Sequence, residues 1–192
     1  MDDAPPIDDG LRNATIHVLR EQGWDGLTLE RVAEISGRAR STLWRQGITR
    51  ERLVGSLVAE VASDFRATMF PILTSEGSGA DRLRRSLEAL CELIDRHLPL
   101  LVATDEVFHQ PPEPGGHPDY LSPFVQFLRE GEADGSLRPP AELVETADVL
   151  FNAVAWPYVH LRGRHAWEPA RARSALVDLA LSWVVTDRKE FR

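Results

Sequence analysis

The sequence predicts an all-α protein of about nine helices, with an N-terminal three-helix helix-turn-helix domain followed by a larger helical domain. Apolar residues recur at spacings of three and four along most of the chain, the repeat that places them on one face of a helix. No run of alternating Val, Ile and Thr marks a strand, and Gly, Pro and capping residues cut the chain into helix-sized pieces.

The first helix turns Leu11, Ala14, Val18 and Leu19 inward and closes at Gly23 and Gly26. Thr28 caps a second helix with Leu29, Val32 and Ala33 inward, and Gly37 supplies the positive φ that ends it. A short helix occupies about 40–46. Thr49 opens a long one whose apolar positions Leu53, Leu57, Val58, Val61, Phe65 and Phe70 run up to Pro71. After a turn at 75–79, a helix over about 80–98 carries Leu83, Leu87, Leu90, Leu93 and Ile94, and Pro99 restarts the chain. Four prolines and two glycines make 110–119 a loop. Tyr120, Phe124, Phe127 and Leu128 resume the helical pattern, and 131–140 is a connector. Two long helices close the chain at about 141–161 and 168–185. Val144, Ala147, Phe151, Val154 and Tyr158 form the inward face of one, and Ala172, Leu176, Leu179 and Trp183 that of the other. The domain division that follows from this pattern is a disordered acidic tail at 1–9, a helix-turn-helix domain at 10–55 and a second domain at 56–192.

Charge is unevenly placed. The chain carries a formal −8 over 192 residues, yet 10–55 holds eight Arg against five acidic side chains. A basic head on an acidic body suits a protein that turns one end toward a polyanion. No stretch approaches the roughly 20 apolar residues of a bilayer-spanning helix, and the first residues lack the basic and apolar regions of a secretion signal. The expectation is a soluble, cytoplasmic protein. Cys91, the single cysteine, falls on an apolar helix face and reads as a small buried hydrophobe.

The segment 28–46 meets the steric demands of a helix-turn-helix. Ala33 is small where two helices cross, Gly37 ends the first, and Leu43 faces inward from the second. Thr28 and Thr49 are N-cap candidates. Arg50 follows Thr49 at the positive end of a helix dipole, where a cation is favoured only if an anion joins it. Arg38, Arg40 and Arg45, with Ser41, Thr42 and Gln46, surround the short helix with groups suited to phosphates and base edges. No Asp or Glu lies between Glu34 and Glu51. An Arg50 paired with Glu51 or Glu30 on a solvated surface is the alternative.

In order and spacing, Ala14, Gly23, Gly26-Leu27-Thr28, Val32-Ala33, Ser36-Gly37, Thr42-Leu43-Trp44 and Arg50-Glu51-Arg52-Leu53 resemble the N-terminal domain of the tetracycline-repressor (TetR) family. The resemblance implies that Thr28 and Arg50 hold phosphates at two helix N-termini. It places Trp44 against the DNA backbone and turns Arg40, Ser41, Thr42 and Arg45 to the groove. The chain departs from the family at Arg38, usually apolar, at Ser41, usually Gly, and at Gln46-Gly47, usually His-Phe. Gly47 removes an inward anchor there, which predicts an early end to the short helix.

The resemblance further implies a C-terminal ligand-binding and dimerisation domain whose last two helices form an intersubunit bundle, with Phe151, Val154, Leu176, Leu179 and Trp183 as interface candidates. A homodimer would meet a near-palindromic operator. Phe65, Met69, Phe70, Phe108, Phe124, Phe127, Asn152 and Trp156 are candidates to line an apolar small-molecule site, with His97 or His109 as other polar fixtures. Plain core packing explains the aromatics equally well. Pro157 should kink its helix.

No cofactor and no metal are expected. His160 and His165, placed on one helix, would point about 140° apart. The sequence has no Gly-rich phosphate loop, nucleophile elbow or His-Glu-x-x-His, so an enzyme is not expected. The reading is therefore a ligand-responsive transcriptional regulator, a repressor by family habit, released from its operator by a small-molecule inducer. A head that no longer reads DNA, suggested by Arg38 and Gly47, and a helical enzyme are the alternatives.

Overall fold

The computed structural model describes residues 7–103 and 119–186. Among them are eight helices: α1 (Asp9–Gly26), α2 (Leu29–Ile35), α3 (Arg40–Arg45), α4 (Arg50–Leu73), α5 (Gly79–Ala103), α6 (Ser122–Ala133), α7 (Leu143–Gly163) and α8 (Pro169–Val184). The fold is all-α. The strand-like pairing among these residues is a single antiparallel bridge between Leu137 and Val185.

Two compact units share the chain. The first takes residues up to Ala62, and from the described part of α5 residues 99–103; the second takes 63–98 and 119–186. Both divisions fall inside helices, at 62/63 in α4 and 98/99 in α5, which is why no loop signal near residue 55 marks them. Helical order also starts before residue 10. Asp8 caps α1 by accepting from the Leu11 N–H at 3.1 Å, and Asp9 begins the helix.

In the first unit, Leu11, Ala14, Val18 and Leu19 of α1 pack with Val32 and Ala33 of α2, Leu43 of α3, Ile48, and Leu53, Leu57 and Val61 of α4. Most are fully buried, and each buried Leu, Ile or Val side chain contributes about 1.5–3 kcal/mol by leaving water. Thr15, also buried, returns its hydroxyl to the Leu11 carbonyl at 2.7 Å. Pro99 does not restart the chain. Leu100 is buried in this same core, and its packing carries α5 across a proline that forfeits one backbone bond. Pro71 likewise sits inside α4, in its last turn, where the helix ends two residues later.

The second unit brings α5 to α8 together around Leu83, Leu87, Cys91, Phe124, Phe127, Ala147, Leu150, Val154, Tyr158, Ala172 and Val177, all at most 1% exposed. Gly131 begins no connector; α6 continues to Ala133, and Gly131 within it is where another backbone passes. A Cβ on Gly79 would lie 2.2 Å from the Gly131 nitrogen and 2.3 Å from its Cα. Asp134 and Ser136 then accept the Gly79 and Ala80 N–H groups that open α5, at 2.7 and 3.0 Å. Tyr158 donates to Asp95 at 2.6 Å, and Arg162 donates to the other oxygen of Asp95 at 2.7 Å and to the Trp167 carbonyl. That network ties α7 to α5 and to the turn before α8.

His160 and His165 are not on one helix. The chain leaves α7 after Gly163, and the two rings meet edge to face with centroids 4.8 Å apart. Burial pushes the Cys91 thiol up to about 12. Among the described residues no helix is long and apolar enough to cross a membrane.

Candidate nucleic-acid interface

The turn between α2 and α3 is built by backbone chemistry that glycine permits. Gly37, at φ 68°, follows the C-cap Ser36; its N–H reaches the Glu34 carbonyl and the Arg38 N–H reaches that of Ala33 at 2.9 Å. This paired bonding is a Schellman motif. The end of α3 repeats it: Gly47, at φ 65°, donates to Trp44, and Ile48 donates to Leu43 at 3.0 Å. Gly47 thus closes α3 after Arg45, the early end expected of it, and the next residue turns inward. Ile48 is 2% exposed and Leu43 fully buried, which is the apolar contact that accompanies this cap and fixes α3 from behind.

With Leu43 inward, α3 turns Arg40, Ser41, Trp44 and Arg45 outward. Trp44 is 74% exposed, unusual for the largest apolar side chain on a six-residue helix. Thr42 and Gln46 are half-buried. Thr42 takes a long 3.5 Å contact from Arg45, and Gln46 is the C-cap of α3. Thr28 caps α2 with a contact from the Arg31 N–H at 3.4 Å, and Thr49 receives the Arg52 N–H at 3.2 Å. The N-cap of α3, Ala39, supplies no side-chain bond.

The arginines differ sharply in their partners. Arg38 pairs with Asp8 at 2.5 Å and Arg40 with Glu30 at 2.8 Å. The Leu11 N–H and the Arg38 guanidinium together hold the Asp8 carboxyl below its ordinary range. Arg50 is paired with neither Glu51 nor Glu30. Its guanidinium lies over the Trp24 ring, 4.1 Å from the centroid, and Nη2 donates to the Trp24 carbonyl at 2.6 Å. The acid-free stretch around α3 gives no hint of Asp8 or Glu30, because both come from outside it and reach it only in space.

The ligand-site candidates separate. Phe65, Met69, Phe124 and Phe127 are buried, and Trp156 is half-buried. Phe65 meets Tyr120 edge to face at 5.0 Å, Tyr120 stacks on Phe151 at 6.0 Å, and Phe151 meets Phe124 at 5.7 Å. Tyr120, which the sequence reads as the start of a helical pattern, lies two residues ahead of α6; its hydroxyl is buried without a hydrogen-bond partner among the described residues, and burial raises its pKa. Phe70 is 66% exposed, because it lies off the stripe that buries Phe65 and Met69, and so does not belong to this cluster. Asn152 is also exposed and spends its amide on Asp148, at 2.9 Å to the backbone and 2.8 Å to the side chain. His97 is buried, with Nε2 2.8 Å from Asp64. Phe108 and His109 lie outside the described residues. Among those residues, no group of three or more His, Cys, Asp or Glu could hold a metal ion.

The interface candidates separate too. Leu179 and Trp183 are 68% and 51% exposed, joined by Val144 and Val149, so these apolar side chains of α7 and α8 face away from their own core rather than into it. Leu176 is half-buried. Val154 is fully buried within its own chain and offers no surface to a partner, and Phe151 belongs to the aromatic cluster.

No protein-family model matches the chain, and no curated protein sequence does. Solved structures do. A bacterial regulatory protein in the TetR family from Rhodococcus RHA1 superposes with a TM-score of 0.75 at 18% identity, over 94% of this chain and 100% of its own. The transcriptional regulator FadR from Bacillus subtilis, in complex with stearoyl-CoA, gives 0.73 at 16% identity, over 90% and 97%. The ketosteroid transcriptional regulator KstR2 of Mycobacterium tuberculosis gives 0.71 at 17% identity, over 97% and 100%. The chain has the fold of these regulators.

Proposed function

We propose that this protein is a ligand-responsive transcriptional regulator, a cytoplasmic repressor that binds a near-palindromic operator as a homodimer and leaves it when a small-molecule inducer binds. The observation that carries the reading is the outward face of α3. Arg40, Ser41, Trp44 and Arg45 stand exposed on a helix anchored by Leu43 and Ile48, an arrangement suited to a major groove and its flanking phosphates. The shared fold supports it, as do the bound stearoyl-CoA of one similar structure and the ketosteroid regulation named for another. In this chain the buried aromatic cluster of the second unit is the place for an apolar inducer, and Leu179 and Trp183 are the core of the dimer face. The protein acts by binding alone.

Selection from a randomised duplex library at about physiological salt tests the reading. Recovery of a sequence with two-fold symmetry is the expected result. A folded dimer that enriches no sequence would contradict it and favour a head that does not read DNA.

A further inference from the structure

We propose that Asp8 is an internal competitor for DNA: it occupies the Arg38 guanidinium in the free protein and surrenders it to a phosphate on binding. The inference rests on the DNA-binding reading above and adds a residue to it. Asp8 and Arg38 are 30 positions apart in sequence yet bonded at 2.5 Å, so the start of α1 reaches the turn that precedes α3. Both carboxylate oxygens are engaged, Oδ1 by the Leu11 N–H at 3.1 Å and Oδ2 by Arg38. The Arg38 backbone is fixed by its bond to Ala33, which holds the side chain two residues ahead of α3.

Three facts make this an exchange rather than a permanent brace. First, the pair is open to water, with side-chain exposures of 34% and 48%, and ion pairs of that kind hold weakly. A phosphate within the field of a duplex is the stronger partner for a guanidinium. Second, a carboxylate left beside that phosphate would be repelled, so the two anions exclude one another. Third, Arg40 repeats the arrangement with Glu30, at 66% and 55% exposure, whereas Arg45 has only its long contact to Thr42 among the described residues. The arginine ahead of α3 and the one that begins it are therefore paired with acids in the free chain, and the one at its end has no acidic partner among the described residues.

Asp8→Asn isolates the charge, because Asn caps a helix as well as Asp does; Asp8→Ser, a second good cap, guards against a folding defect in either variant. Binding to a short mixed-sequence duplex is followed by fluorescence anisotropy across a salt series. Both variants are expected to bind roughly two- to fivefold tighter than wild type, the equivalent of one exposed ion pair. In an Arg38→Ala background, most of that gain should vanish. Weaker or unchanged binding by both variants overturns the exchange and makes Asp8 a brace for Arg38 or a bystander. A gain that survives intact without Arg38 also overturns it, since general repulsion by Asp8 would then suffice. If wild type binds no duplex at any salt while remaining folded, the DNA-binding reading fails and the exchange with it.

Discussion

The Arg50 guanidinium lies over the indole of Trp24, 4.1 Å from its centroid, and donates to the Trp24 carbonyl at 2.6 Å. The first residue of α4 is thus tied to the end of α1, 26 positions earlier. A side chain that the TetR resemblance assigns to phosphate is already engaged inside its own domain. Arg50→Ala should therefore lower stability by about 1–2 kcal/mol as well as weaken duplex binding. Urea unfolding monitored by circular dichroism measures the first effect, and a stability unchanged within about 0.5 kcal/mol would show that the stack contributes nothing.

Gly79 and Gly131 give a second prediction. With the backbones this close, Gly79→Ala must move one of two helices, and a loss of at least about 2 kcal/mol is expected in thermal or urea unfolding. Gly55 is the control. It lies within α4, where an added Cβ would meet no described atom within 4 Å, so Gly55→Ala should stabilise by about 0.5–1 kcal/mol. Equal effects from both would contradict the close approach.

Much of this fold is legible from periodicity. The repeat turns Leu11, Ala14, Val18, Leu19, Val32, Ala33 and Leu43 inward, and all are buried. Spacing identifies a face well when one helix packs on one core. It fails where an apolar stripe runs on past the buried face. Leu179 and Trp183 extend the apolar stripe of α8, but their side chains are exposed, and no local pattern separates a core face from an exposed apolar one. Pro99 reads as a break because local chemistry disfavours it inside a helix, whereas the burial of Leu100 is a tertiary fact. The outward residues of α3 are legible because a motif fixes their spacing. The partners of the arginines are not: Asp8–Arg38, Glu30–Arg40 and Trp24–Arg50 each join separate elements.

Under the proposed dimeric reading, Leu179→Glu should abolish the homodimer while leaving the protomer folded, since Leu179 is 68% exposed and a charge there meets water in the monomer. Sedimentation velocity reads the outcome. A dimer that persists would place the interface elsewhere.

The Tyr120 hydroxyl is buried without a partner among the described residues, a cost that Phe would not carry. Tyr120→Phe is expected to leave the free protein as stable or to raise its thermal midpoint. A loss above about 1 kcal/mol would mean that the hydroxyl is satisfied in the folded chain.

Alkaline pH should weaken the fold through Cys91. Its thiol is raised from 9.0 to about 12, so the folded state holds the proton more tightly than the unfolded state. Its contribution is therefore complete below pH 9.0 and is lost as the pH rises toward 12, by at most about 1.4 kcal/mol per pH unit. Cys91→Ala should flatten this slope in urea unfolding carried out above pH 9.0. An identical slope in both proteins would exclude Cys91 as its source.

In the proposed reading operator recognition depends most on α3 reaching base edges, and Arg45 is the arginine of that helix without an acidic partner among the described residues. Sequence preferences of wild type and Arg45→Ala, profiled side by side from the same randomised duplexes, test this most directly. The expected result is a near-palindromic preference in wild type that relaxes at one symmetric pair of positions in the variant, each base change there costing about 1–3 kcal/mol less than before. A profile unchanged by the substitution, or no preference in the wild type, would contradict it.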